Sequence, residues 1–188
     1  MLDSIANHEF GLFYVLSQIF ALTATILNLY AIQRKKKEQL LKYNAVAAFC
    51  GVFHYLFLGA WSGVATKIVG TTRNSVAAYE AYKHKISKVW PIIFITFYIV
   101  GGIITYSSPL SILPIIAAVT YTMAIYLGDA STIRRVAVFT STLWLIYDIC
   151  VFSIVGTLAE IVFIIDALVA IWRYRKHKKK RKKRKSAR

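Results

Sequence analysis

The chain has 188 residues, 57% of them hydrophobic, and a positive mean hydropathy. A water-soluble domain of this size has too little interior to hide so much apolar surface, which excludes a globular cytosolic fold and leaves lipid as the solvent. The net charge of +16 does not point to a nucleic-acid partner, because twelve of the 24 Lys and Arg residues lie in the last sixteen positions and the remainder carries only +4.

The first nine residues contain Asp3 and Glu9 and no Lys or Arg. A cleavable secretory signal starts with basic residues, so the first apolar stretch is expected to stay as a span. Apolar stretches then recur at Phe10 to Ile32, Tyr43 to Ala60, Gly63 to Tyr82, Trp90 to Tyr106, Pro109 to Leu127, Val136 to Ser153 and Val155 to Trp172. At a rise of 1.5 Å per residue each suits a hydrocarbon core of about 30 Å. Backbone groups in lipid must be paired within the element, so these are seven predicted helices. Trp61, Trp90 and Trp172 fall at their ends, as an interfacial aromatic belt requires.

Arg34, Lys35, Lys36, Lys37 and Lys42 follow span one, Lys83, Lys85 and Lys88 follow span three, and Arg134 and Arg135 follow span five. The intervening turns AWSG, YSSPLS and SIVGT carry no Lys or Arg. The positive-inside rule then places the N-terminus outside and the C-terminus in the cytoplasm. The tail, residues 173–188, is a juxtamembrane polybasic run expected to hold anionic lipid headgroups. Cys50 and Cys150 lie inside apolar stretches and read as packing residues, with no disulfide framework.

Sliding the chain by 93 positions brings Ala31 and Ile32 onto Ala124 and Ile125, and Lys83, His84 and Lys85 onto Lys176, His177 and Lys178. Gly63, Ile68, Val69 and Ala77 fall on Gly156, Ile161, Val162 and Ala170. Span boundaries and short turns also coincide. The sequence therefore predicts two parallel three-helix repeats, at about 10–85 and 109–172, joined by a linker helix at about 88–106.

Lys67, Arg73, Asp148, Glu160 and Asp166 are ionisable side chains inside the spans, where charge is expensive and a partner or a polar cavity is expected. The offset matches Lys67 with Glu160 and Arg73 with Asp166, at equal depth, so each pair meets if it faces the axis between repeats. Lys67, Thr71 and Asn74 share one helix face, whereas Arg73 lies about 100° from Asn74, so both pairs cannot face that axis equally. His54 is the offset partner of Tyr147, with Asp148 adjacent; it reads either as a titrating group on a polar cavity or as a histidine bonded to a neighbouring helix. Trp144 is placed to stack on a ligand or to pack on lipid. Gln18 and Asn28 are expected to donate hydrogen bonds between helices. The candidate substrate-binding set is His54, Lys67, Arg73, Asn74, Trp144, Tyr147, Asp148, Glu160 and Asp166.

The segments GVFHYLFLGAWSG at 51–63, Arg73, IVGGI at 99–103, SPLSILP at 108–114, Ile133 with Arg134, STLWLIYD and SIVGTLAE resemble the bacterial YgjV family of inner-membrane proteins. That resemblance covers about 160 residues and implies the bacterial inner membrane. The three-plus-one-plus-three plan resembles, more loosely, the PQ-loop and SWEET transporters, although the Pro-Gln pair that names the former is missing. The leading expectation is a transporter of a small polar or anionic solute with a midplane site. The alternative is a membrane scaffold whose charges form structural ion pairs. No Ser-His-Asp set, HExxH motif, metal cluster or phosphate-cradling glycine loop is evident, so no enzymatic activity, metal or cofactor is expected. The expected partners are the bilayer, anionic headgroups and a small solute, with a homo-oligomer as an option.

Overall fold

A computed structural model describes residues 11–85 and 87–186, with side chains as far as Arg173. Among the described residues the chain forms seven α-helices and no strand. They are α1 (Leu12–Ile32), α2 (Lys37–Phe57), α3 (Trp61–Lys83), α4 (Val89–Ile104), α5 (Ile112–Leu127), α6 (Ala130–Cys150) and α7 (Ile154–Ser186), with a 3-10 turn at Pro109–Ser111 leading into α5.

Four segments are long and apolar enough to cross a membrane: α1, α2, Pro109–Leu127 and the Ile154–Arg173 part of α7. Helix α4 is apolar but has only 16 residues. Helices α3 and α6 have the length, at 23 and 21 residues, yet bury Ser62, Thr66, Arg73 and Asn74 on one and Arg134, Thr140, Ser141 and Asp148 on the other. Those polar side chains lower their hydropathy and face inward.

Two helices start well before the apolar pattern places them. α2 begins at Lys37 within the basic loop. α6 begins at Ala130, where Asp129 caps it by accepting from the Thr132 backbone N–H at 2.8 Å. α7 continues as helix through the basic residues to Ser186, but the side chains of the tail beyond Arg173 lie outside the described ones.

Helix packing closes a ring. α1 packs on α2, α2 on α3, α3 on α5, α5 on α6, α6 on α7 and α7 back on α1, while α4 lies outside against α3 and α5. The surface is apolar and the interior polar. Ile104 is 77% and Leu12 71% exposed, whereas Arg73 is 5%, His54 3% and Asp148 1% exposed. This distribution is stable only where the outer solvent is hydrocarbon. Cys50 is half-buried and Cys150 exposed, both as free thiols; Cys150 therefore lies on the outer surface rather than in packing.

Helices α2 and α6 begin and end 93 residues apart, and α3 and α7 begin 93 apart. Backbone bonds of the turns between them recur at the same offset. Ala60 N–H donates to Tyr55 O at 3.0 Å and Ser153 N–H to Asp148 O at 2.9 Å. The left-handed residue is Gly59 in the first turn (φ 67°) and Phe152 in the second (φ 56°). Glycine takes this conformation freely, whereas Phe152 holds it against its Cβ.

The ring is also laced across its two halves. The Lys37 ammonium, at the start of α2, donates to Ile125 O and Gly128 O at the end of α5. The Arg134 guanidinium on α6 donates to Ile32 O at 3.2 Å and Arg34 O at 2.8 Å at the end of α1. Helix C-termini leave carbonyls unpaired and carry partial negative charge, so a cation is the natural cap.

Candidate functional site

The helix ring encloses a cavity of about 150 Å³. Helices α2, α3 and α6 supply most of its charged and aromatic lining, with Glu160 from α7 and Tyr98 reaching in from α4. Of the nine candidates, His54, Lys67, Arg73, Asn74, Trp144, Asp148 and Glu160 line it. Tyr147 and Asp166 do not.

Arg73 lies twelve residues into the 23-residue α3, at mid-helix. Its Nε and Nη2 donate to Asn74 Oδ1 at 3.1 and 3.0 Å, and its Nη1 donates to Ala118 O at 3.2 Å and Thr122 Oγ1 at 3.0 Å on α5. The Tyr121 and Tyr98 rings flank the guanidinium at 5.1 and 5.6 Å. Asp166 instead accepts from Gln33 Nε2 at the end of α1. The expected Arg73–Asp166 contact is therefore absent. Equivalent depth about a twofold axis does not bring equivalent residues together when they face away from it. Arg73 faces the seam between α3 and α5, and Asp166 faces the seam between α7 and α1, on opposite sides of the ring.

The second complementary pair does converge on the cavity. Lys67 and Glu160 act on one another's charge there. No ion pair joins them among the described residues. The Lys67 ammonium sits over the Trp144 ring at 3.9 Å, with the Tyr55 ring at 5.6 Å. Its stem passes Gly51, where a Cβ would come within 3.1 Å. Trp144 is thus buried under a cation of the chain itself and stacks on Tyr55 at 5.5 Å, away from lipid. Glu160 Oε2 is buried without a hydrogen-bond partner.

Asp148 accepts from the Tyr55 hydroxyl at 2.7 Å. These residues are themselves 93 positions apart, so the offset that fails to join Arg73 to Asp166 joins this pair. Tyr147, the partner of His54 by offset, points away: its hydroxyl bonds Ser62 Oγ at 2.6 Å and accepts from Gly63 N–H at 3.3 Å, capping the start of α3.

His54 has both ring nitrogens engaged. Nδ1 lies 2.9 Å from Ser17 O, which only accepts, so Nδ1 carries the proton. Nε2 lies within hydrogen-bond distance of Ser153 Oγ at 3.1 Å, and that hydroxyl accepts from Gly156 N–H at 3.1 Å. The chain of bonds runs from α1 through α2 to the start of α7. Of the two readings of His54, the geometry matches the histidine bonded between helices. Gln18 also joins helices, but as an acceptor from Val155 N–H at 3.0 Å rather than as a donor. Asn28 lines the cavity.

Tyr55, Tyr98, Tyr121 and Asn44 are cavity residues that the sequence pattern does not single out; Asn44 donates to the Tyr121 hydroxyl at 2.8 Å. Tyrosines spread evenly through the spans give no local signal. Only Tyr55, as the offset partner of Asp148, could have been found.

An all-helical bundle with an apolar exterior and a charged interior defines a multi-pass membrane protein. Residues 15–178 match the family described as a bacterial inner membrane protein, Imp-YgjV. The chain belongs to that family, and its place is the bacterial inner membrane. It is 28% identical to the inner membrane protein YgjV of Escherichia coli strain K12 over 149 residues, covering 77% of this chain and 75% of the relative. No solved structure matches the chain.

Proposed function

We propose that the protein is a transporter of a small polar or anionic solute, with its binding site in the cavity within the helix ring. The observation that carries this reading is the cavity itself: two cations and two carboxylates line it, and neither cation is neutralised by an ion pair. Buried charge is expensive in a membrane and is kept where it meets a ligand or a counter-charge. A scaffold held by structural ion pairs would have them in contact and the centre filled. The reading assigns no chemical step to the protein.

The same proposal takes all seven helices as spans, with α1–α3 and α5–α7 as two parallel repeats and α4 as the linker, N-terminus outside and C-terminus cytoplasmic. It is supported by the 93-residue spacing of helix bounds and turns, and by the basic residues clustered at one end of the bundle. The tail then lies against anionic headgroups of the inner leaflet.

Flux tests it. Purified protein in proteoliposomes is offered a radiolabelled panel of sugars, amino acids and small carboxylates. Uptake of at least one solute above empty vesicles, lost in Arg73→Ala, supports transport. Equal counts with and without protein for the whole panel sink it.

A further inference from the structure

The geometry points to an anion subsite on the inner face of α3, formed by Lys67, Arg73 and the Tyr98 hydroxyl around Gly70, whose ligand is a small monovalent carboxylate. This inference rests on reading the cavity as a solute site and names the class of solute.

Arg73 is permanently charged. It is 5% exposed, and every acceptor it reaches is neutral: an amide oxygen, a backbone carbonyl and a threonine hydroxyl. Its four hydrogen bonds leave one guanidinium N–H free. The Lys67 ammonium lies over ring faces and makes no hydrogen bond among the described residues, so its N–H donors are available. Both cations line one cavity, in which Glu160 and Asp148 attract Lys67 at a distance and Arg73 repels it. Two buried cations with spare donors and no carboxylate within hydrogen-bond reach form a local patch on which an anion can be held by charge-assisted hydrogen bonds.

Tyr98 supplies an independent mark of the same place. It is 2% exposed, and its hydroxyl makes no hydrogen bond of normal geometry, with the Thr122 hydroxyl as the polar group beside it. That hydroxyl lies 3.5 Å from where a Cβ on Gly70 would sit. Gly70 is midway between Lys67 and Arg73 in sequence and also lines the cavity. The glycine therefore leaves open floor, with a buried donor beside it and a cation on each side.

Charge selects the ligand class. Lys67 and Arg73 balance Asp148 and Glu160 when all four are ionised, so among anions a monovalent one leaves one uncompensated charge and a dianion two. A carboxylate is monovalent at neutral pH, and its two oxygens accept from separate donors.

The test is thermal unfolding of the full-length protein in detergent. It is titrated with sodium acetate and sodium propionate against sodium chloride at matched ionic strength, sodium phosphate and short-chain phosphatidylglycerol. The expected result is a saturable rise in the midpoint with acetate or propionate. Tyr98→Phe weakens the apparent affinity by about tenfold, the loss of one charge-assisted hydrogen bond, and Gly70→Ala weakens it by filling the floor on which the carboxylate rests. Gly70→Ala keeps the fold, because its Cβ meets the Tyr98 hydroxyl at ordinary contact distance. Lys67→Met abolishes the rise. An absent carboxylate effect, an equal effect from chloride, or unchanged affinity in Gly70→Ala and Lys67→Met overturns the subsite. Saturation by phosphatidylglycerol alone makes it a headgroup site and overturns the solute assignment. Saturable binding without flux leaves the subsite standing and removes transport. Carboxylate flux indifferent to Gly70→Ala does the reverse.

Discussion

The Tyr55 hydroxyl donates to Asp148 Oδ1 at 2.7 Å, across the ring from α2 to α6, between residues 93 positions apart. Both are almost wholly buried. Replacing Tyr55 by Phe strands a carboxylate oxygen, whereas Asp148→Asn keeps an oxygen that accepts the same bond. Tyr55→Phe is therefore expected to cost about 1–3 kcal/mol, more than Asp148→Asn. Unfolding in detergent micelles measures both. A larger loss in Asp148→Asn would show that charge, not the hydrogen bond, holds the two helices here.

The reciprocal clasp of Lys37 on α5 and Arg134 on α1 carries a prediction about place as well as size. Arg134→Ala removes the bonds to Ile32 O and Arg34 O, at about 1.5–3 kcal/mol for a hydrogen bond to a charged group. The loosening should appear in the other half of the chain. Hydrogen exchange in Arg134→Ala should rise at the end of α1, and in Lys37→Ala at the end of α5. Exchange that rises only around the substituted residue contradicts the clasp.

These clasps mark where the sequence was legible and where it was not. Helix number, lipid exposure and the short turns are written in runs of apolar residues and in glycines, because period and length act locally. Lys37 and Arg134 were visible only as basic loop residues that orient the chain. Their caps depend on how α2 lies against α5, and α6 against α1, which no local pattern records. The same reason explains the candidate site. Seven of nine residues reach the cavity because buried polarity in lipid has few other destinations. Which of them touch depends on seams: Arg73 and Asp166 share depth and diverge, while Tyr55 and Asp148 share an offset and meet.

That divergence makes the charge exchange informative. Arg73→Asp combined with Asp166→Arg should be no more stable than the two single substitutions predict, with a coupling energy below about 0.5 kcal/mol, as for sites without shared partners. Thermal midpoints of the four proteins in one detergent give the cycle. A rescued double variant would require the two side chains to meet.

Asp129 sets an acid dependence outside the spans. The Thr132 backbone N–H, and then its hydroxyl, hold the Asp129 carboxyl below its ordinary value of 3.8. A lowered folded-state value means that the cap's stabilisation is complete above the unfolded value and fades as pH falls through the folded one. Near neutral pH, Asp129→Ala should lower the unfolding midpoint by roughly 2–4 °C, the usual yield of an N-cap. The gap between wild type and variant should close below pH 3.8. A gap that persists at lower pH assigns the effect to something other than the carboxylate.

Gly63 and Gly156 are identical at the 93-residue offset, and the structure gives a reason for each. A Cβ at Gly63 would lie 2.6 Å from the Tyr55 ring, and one at Gly156 would lie 2.2 Å from Ser153 Oγ and 2.8 Å from Asp148 Oδ2. Each glycine lets the next helix start close against the side chain eight residues back, so each lies under one half of the Tyr55–Asp148 bond. Gly63→Ala must displace a packed ring, at about 1–3 kcal/mol for overpacking. Gly156→Ala must displace the serine that bonds His54, and should also disturb that chain of bonds. Substituting Tyr55 by Ala opens the space that the Gly63 methyl needs. Gly63→Ala in a Tyr55→Ala background should therefore cost much less than in wild type, while Gly156→Ala in the same background should still be costly, since its nearest obstruction, Ser153 Oγ at 2.2 Å, does not depend on Tyr55. Unfolding midpoints of the six proteins decide it, and equal costs for Gly63→Ala in both backgrounds would remove the Tyr55 ring as the reason for that glycine.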